Sequence, residues 1–284
     1  MATKLIYQTA LLASGWAQNV AISIDDDGLI TAIKSDVAGA DAVAQSGVII
    51  PGLSNLHSHA HQRAMAGLAE RAGSTPDSFW TWRKTMYEFL DAMQPRHLYA
   101  IASQLYLEML SAGYTRVAEF QYLHHQQNGT GYEDPAEMSL QTLQAARQVG
   151  IGITNLPVHY QFGGFGEQAI SAQQNRFYNK PDGFLRIVES LLEHCKDDVN
   201  ANVGVAGHSL RATSKRAFGE VLEGLGGMQE MREQSAPIHI HIAEQLKEIE
   251  DCIKWSGARP VDYCLDNFDV DNRWCLVHAT HMSE

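Results

Sequence analysis

Six short apolar segments, separated by longer stretches of helical periodicity, constrain this chain more than any other feature of its sequence. They lie within Val48 to His59, Thr115 to Tyr122, Ile151 to His159, Asn202 to His208, Pro237 to Ala243 and Trp274 to Ala279. Amphipathic stretches intervene, among them His97 to Leu110, Pro135 to Val149, Phe184 to His194 and Lys215 to Leu225. Repeated strand and helix units imply parallel strands covered by helices, in an open doubly wound sheet or a closed barrel. No Gly-x-Gly-x-x-Gly follows any segment, so the dinucleotide-binding form of the open sheet has no support. Eleven of the 13 histidines, all but His97 and His194, fall near or just past the C-terminal ends of the segments. In a barrel those ends converge on one mouth. The expected fold class is therefore α/β, a (β/α)8 TIM-like barrel.

Upstream, Val20, Ile22 and Ile24 alternate, Asp26-Asp27-Gly28 supplies a turn, and Leu29 to Ile33 returns, which predicts a β-hairpin. With Leu5-Ile6 and Val48 to Ile50 it suggests a small β-domain. The expected division is residues 1–50 as part of a small β-sandwich domain and 51–284 as an incomplete barrel. A closed barrel of this type needs eight strands and the sequence supplies about six, so a C-terminal truncation is expected, with little activity from this chain alone.

Charge narrows the partners. Lys and Arg number 21 against 33 Asp and Glu, a net charge of -12, which argues against nucleic acid or an anionic membrane. The four cysteines show no two-residue spacing of a thiolate metal site or redox motif, and a reducing cytoplasmic setting is expected. No apolar run approaches the roughly 18 residues of a membrane helix.

In His57-Ser58-His59 a one-residue spacing on a strand turns both imidazoles to one face, where neutral nitrogens can share an ion. In His239-Ile240-His241-Ile242-Ala243-Glu244 the isoleucines are expected to face helices, so His239 and His241 point into the barrel and Glu244 emerges beyond the strand. That set suits a metal ligand and a proton-transfer group. On the sixth segment Trp274, Leu276 and His278 share a face, which leaves Cys275 as packing and His278 nearest the mouth. On the fourth, Asn202, Gly204, Ala206 and His208 are expected to point inward, with space beneath His208. Arg211 follows, either as a carboxylate clamp or as a solvated surface residue. Tyr122, His124 and His125 crowd the end of the second segment. Phe79 to Arg83 form an aromatic, cationic patch in a long first loop, suited to a lid or to packing on the barrel.

Pro51-Gly-Leu before His57-x-His, a strand-five histidine with Glu three residues on, and a strand-six histidine together resemble the amidohydrolase superfamily, in its mononuclear deaminase branch. The runs from His57 to Met65, Phe79 to Tyr87, Glu119 to His125 and His239 to Gln245 are similar to the formimidoylglutamate deiminase family within it. The resemblance implies that His57, His59 and His241 bind one divalent metal, zinc. It implies Glu244 and His278 as catalytic proton-transfer groups, and Gln62, Arg83, Tyr122, His208 and Arg211 around the substrate. A fourth ligand, an aspartate, is expected beyond residue 284. The implied reaction is hydrolytic deimination of a small dicarboxylate in histidine breakdown by a cytoplasmic enzyme, a homodimer by family habit. The alternatives are a deaminase or hydrolase of the same superfamily acting on a nucleobase or related ring, or an inactive fragment.

Overall fold

Valine and isoleucine at alternate positions pack well on a pleated surface and lose rotamer freedom in a helix. In the computed structural model the expected apolar segments are strands. The structure describes residues 3–37, 43–68, 79–228, 231 and 235–283, apart from the side chains of 43–45, 79–81, 83 and 84. By internal contacts the chain divides into Met1–Leu53 and Ser54–Glu284.

The first unit is a four-stranded sheet of β1 (Thr3–Leu12), β2 (Gly15–Ile24), β3 (Ile30–Lys34) and β4 (Val43–Ile49), in the order β3-β2-β1-β4. β1, β2 and β3 pair antiparallel, and β4 lies parallel to β1. The expected hairpin is β2 and β3. Its turn is held by the Asp25 carboxylate, which accepts the N–H groups of Asp27 and Leu29 at 3.1 and 2.8 Å, while Gly28 takes φ 81°. Val20 and Ile22 are buried with Ala10.

The second unit contains β5 (Leu53–Ser58), β6 (Tyr114–Gln121), β7 (Gly152–His159), β8 (Ala201–Val203), β9 (Val205–Ser209), β10 (Ile238–Ile242) and β11 (Trp274–His278). Among the helices are α1 (Phe79–Asp91), α2 (Pro95–Ser111), α3 (Glu137–Val149), α4 (Pro181–Cys195), α5 (Lys215–Gly227), α6 (Leu246–Ser256) and α7 (Pro260–Asn267). Spatial order along the sheet is β5-β6-β7-β9-β10-β11, with β8 paired to β7 off that path. Strand order thus follows chain order without reversal, as in a TIM-type barrel. A doubly wound sheet reverses at its switch point.

Val117, Ile153, Val205 and Ile238 pack with Tyr106, Phe184, Leu191 and Phe218 of α2, α4 and α5. Ile240 and Ile242 pack with Ile249, Cys252 and Cys264 of α6 and α7. The isoleucines of β10 therefore face helices, as their alternation predicts.

Three local expectations change. The fourth segment is two strands broken at Gly204. Asn202 is exposed, and a Cβ on Gly204 would stand 2.6 Å from both Leu156 Cδ2 and the Pro237 carbonyl oxygen. Neighbouring strands close on this backbone, so there is no space beneath His208 at that level. Gly204→Ala is expected to destabilise the chain by roughly 1–3 kcal/mol through overpacking, read as a lower urea midpoint at unchanged slope. An unchanged midpoint would show that the strands give way.

In β11 the parity is reversed. Trp274 and Leu276 pack on the helix side and pair with Ile238 and Ile240, so Cys275 and Val277 share the interior face with His239 and His241. Cys275 thus faces the barrel interior, half-buried. His278 reaches the mouth only because its backbone turns into the left-handed region, φ 72°. Finally, the Phe79 to Arg83 run opens helix α1 and is not a loop. Helical spacing then sets Trp82 and Met86 on one side.

Candidate metal centre and cavity

His57 is the penultimate residue of β5, His59 directly follows that strand, and His241 is the fourth residue of β10. Their Nε2 atoms lie 3.0 Å (His57 to His59), 3.0 Å (His57 to His241) and 3.2 Å (His59 to His241) apart. Tetrahedral ligation at about 2.0–2.1 Å requires nitrogen separations of roughly 3.3 Å, close to this triangle. Strand register explains the approach. Between Ile240 and His241 the pairing of β10 with β9 shifts from Gly207 to Ser209, skipping His208. The His208 carbonyl then accepts the Nδ1–H of His241 at 3.1 Å, and the Phe120 carbonyl accepts that of His59 at 3.2 Å. Each bond consumes the ring proton and leaves a bare lone pair on Nε2.

Two bare lone pairs facing one another at 3.2 Å repel, and a cation between them converts repulsion into ligation. The donor set therefore fits a divalent metal of the imidazole-binding class. Phe120, fully buried, floors the triad, its ring 5.0, 5.1 and 4.4 Å from those of His57, His59 and His241. Burial pushes the His57 and His59 imidazoles down to about 3, and His241 well below its usual range, so all three are neutral donors at physiological pH.

The triad opens into a cavity of about 310 Å³ lined by Gln62, Tyr122, His208, Arg211, Glu244 and His278, and by Trp82, Met86, Tyr87, Tyr160 and Phe177. Glu244 Oε1 stands 3.8 Å from His278 Nε2, and the His278 ring stacks on that of His241 at 5.3 Å. Both strand tips bend through left-handed residues, Ala243 at φ 52° and His278 and Ala279 at φ 72° and 47°. Such strain persists where the surroundings over-determine it. Here the Ala279 and His281 N–H groups donate to the carbonyls of Ile242 and Ala243, and the Glu244 N–H donates to the buried Glu248 carboxylate at 3.0 Å. Gln62 donates to the Tyr122 hydroxyl at 3.4 Å, and that oxygen lies 2.9 Å from His61 Nε2. His208 packs its ring on Tyr160 at 4.7 Å.

The structure thus gathers His59, His241, Gln62, Tyr122, His208, Arg211, Glu244 and His278 around one space, with His57 against the first two. Arg83 lies on α1, with its side chain outside the described residues. His124 and His125 do not line the cavity. Their rings bond the carbonyls of Val158 and Tyr178, and Arg176 donates to the carbonyls of Leu90, Met93 and His125, tying the end of α1 to the loop after β6. Sequence reasoning missed Glu119, Glu248, Arg176, Tyr160 and Phe177. Tyr160, just past the third segment, Glu248, four residues after Glu244, and Glu119, at the head of a run that resembles the family, carried a positional hint.

The buried histidines outside the triad make a pH prediction. Burial pushes His61 and His124 down to about 3, and His159 and His239 down to about 4, against an unfolded value of 6.5. As pH falls below 6.5 the unfolded chain takes up protons that the folded chain refuses, so stability drops until the folded values are reached. Glu119, pushed up to about 7 by burial, opposes this between 7 and 4.5 but is outnumbered. The urea midpoint of metal-free protein should fall steadily from pH 6.5 to 4. A flat profile would contradict the buried neutral imidazoles.

Comparison with known proteins agrees with this geometry. The model of the amidohydrolase family matches residues 48–284, and that of the formimidoylglutamate deiminase HutF N-terminal domain matches residues 4–44. A curated formimidoylglutamate deiminase of Pseudomonas aeruginosa is 47% identical over 98% of this chain and 60% of its own length. A crystal structure of an amidohydrolase from Brucella melitensis, also 47% identical, covers 99% of this chain and 61% of that one with a TM-score of 0.91. A 5-methylthioadenosine/S-adenosylhomocysteine deaminase of Thermodesulfovibrio yellowstonii is 22% identical over 83% of this chain and 46% of its own length. The chain therefore spans about three-fifths of the length of the first two. Since the family model takes in the whole of the barrel unit and every residue of the histidine triad, the chain belongs to the amidohydrolase family.

Proposed function

We propose that this chain carries the catalytic barrel of a deiminase that hydrolyses N-formimidoyl-L-glutamate to N-formyl-L-glutamate and ammonia, in the breakdown of histidine. The observation that carries the reading is the convergence of three neutral imidazoles, a carboxylate and an arginine on one cavity. The likeness to the Pseudomonas deiminase supports it. In this reading His57, His59 and His241 hold one zinc ion, which when bound supplies Lewis acidity and lowers the pKa of a water toward about 7.

The chain's own residues do the rest. His278, stacked on His241, orients the attacking water and takes up a proton at Nε2. Glu244, beside it, protonates the imino nitrogen as the water oxygen bonds to the formimino carbon. The two protons of that water pass by way of His278 and Glu244 to the same nitrogen and back to Glu244, so that the C–N bond breaks with ammonia leaving and a formyl group remaining. Arg211 pairs with a substrate carboxylate, since a dicarboxylate taken out of water needs cations. Gln62, Tyr122 and His208 supply hydrogen-bonding groups around it. Walls of Trp82, Tyr87, Tyr160 and Phe177 limit water. Free cysteines suit a cytoplasmic setting. Among the described residues no helix is long and apolar enough to cross a membrane.

The test is ammonia release from formimidoylglutamate, beside guanine, cytosine and adenosine, by zinc-loaded protein of the full length of its relatives, of which this chain spans about three-fifths. Preference for a ring substrate overturns the proposal. Arg211→Met is expected to raise the KM for formimidoylglutamate at least about tenfold, the weight of a charge-assisted hydrogen bond. Unchanged KM and turnover would remove Arg211 from the substrate site.

A further inference from the structure

Glu119 is fully buried on β6, on the face of Val117 and away from the three imidazoles. The positions around it pack with helices, where an apolar side chain is the ordinary occupant. A carboxylate is costly to desolvate there, and its described partners are uncharged donors. Its Oε1 accepts the Ala60 N–H at 2.6 Å and its Oε2 the Tyr106 hydroxyl at 3.1 Å, with a further hydrogen bond from the Ser58 side chain. Burial pushes Glu119 up to about 7 while these hydrogen bonds hold it down. The donors have a common location. Ser58 stands between His57 and His59, Ala60 follows directly, and the next residue on β6, Phe120, accepts the Nδ1–H of His59.

Two consecutive residues of β6 therefore grip the His-x-His turn, one by its ring and one by its backbone. We infer that Glu119 is a positioning residue of the metal centre, whose carboxylate fixes the turn after β5 so that His57 and His59 present both Nε2 atoms to one ion. The inference rests on reading the three histidines as a metal site, and deepens it. An amide fills much of the same volume but does not accept from three donors at once.

The chain, Glu119→Gln and Ser58→Ala are to be titrated with Zn2+ against a chromophoric chelator, and the Co2+ forms compared by visible absorption. Folding is checked by circular dichroism. Glu119→Gln is expected to bind Zn2+ roughly 10–100-fold more weakly, with a changed Co2+ spectrum, the usual effect of losing an outer support of a ligand. Ser58→Ala should move both readouts the same way, by less. Tyr106→Phe, which keeps the carboxylate on Ser58 and Ala60, should lower stability and leave affinity and spectrum near those of the unsubstituted chain.

A folded Glu119→Gln with unchanged affinity and spectrum overturns the inference. If that variant does not fold, Ser58→Ala decides, and unchanged values there overturn it equally. An unsubstituted chain that takes up no metal refutes the metal-site reading itself, and the inference with it.

Discussion

His241→Ala is expected to cost the chain its metal, whereas His239→Ala, two residues earlier on the same face of the same strand, should leave it in place. Losing one of three protein ligands removes at least about 3 kcal/mol of binding free energy, a hundredfold or more in affinity. The contrast comes from geometry. His241 Nε2 lies 3.0 and 3.2 Å from its two partners and its Nδ1 is anchored on the His208 carbonyl. The His239 ring lies 6.3 Å from that of His57, and its buried Nδ1 has no hydrogen-bond partner among the described residues. Competition titration with a chelator measures both variants. Equal losses would show that the two histidines are interchangeable and that the triad is misassigned.

The second large effect concerns Glu244. Glu244→Gln keeps the shape of the side chain and removes its capacity to transfer a proton, so under the proposed mechanism turnover of formimidoylglutamate should fall by about 10²–10⁴ with metal content unchanged. Glu244 is held at the tip of β10 by a backbone hydrogen bond from its own N–H to Glu248, which the substitution leaves intact. Its KM should therefore move little. A variant that retains most of its turnover would place proton transfer on another group, with His278 at 3.8 Å the first candidate.

Much of this site was legible beforehand because strand parity is rigid. A period of two places His57 with His59, and it forces His239 and His241 inward once Ile238, Ile240 and Ile242 face helices. Where parity fails, the reading failed with it. His278 shares the sequence face of Trp274 and Leu276, which pack outward, and enters the cavity through a left-handed backbone that no pattern announces. Gly204 looked like a vacancy and is a point of close approach. Glu119 and Glu248 look like solvent-facing acids in sequence, yet both are buried, and both accept backbone N–H groups beside the site.

Sequence alone thus determined the alternation of strands and helices, the order that makes a barrel, and the set of imidazoles at the strand tips, because each follows from local periodicity. Strand parity left two inward histidines on β10, of which the family resemblance pointed to His241, and the tertiary structure brings that one against His57 and His59. The tertiary structure alone decided how His278 turns in and which buried carboxylates brace the site. Those depend on hydrogen bonds between residues 33 to 61 positions apart, and on register shifts between strands, which local pattern does not encode.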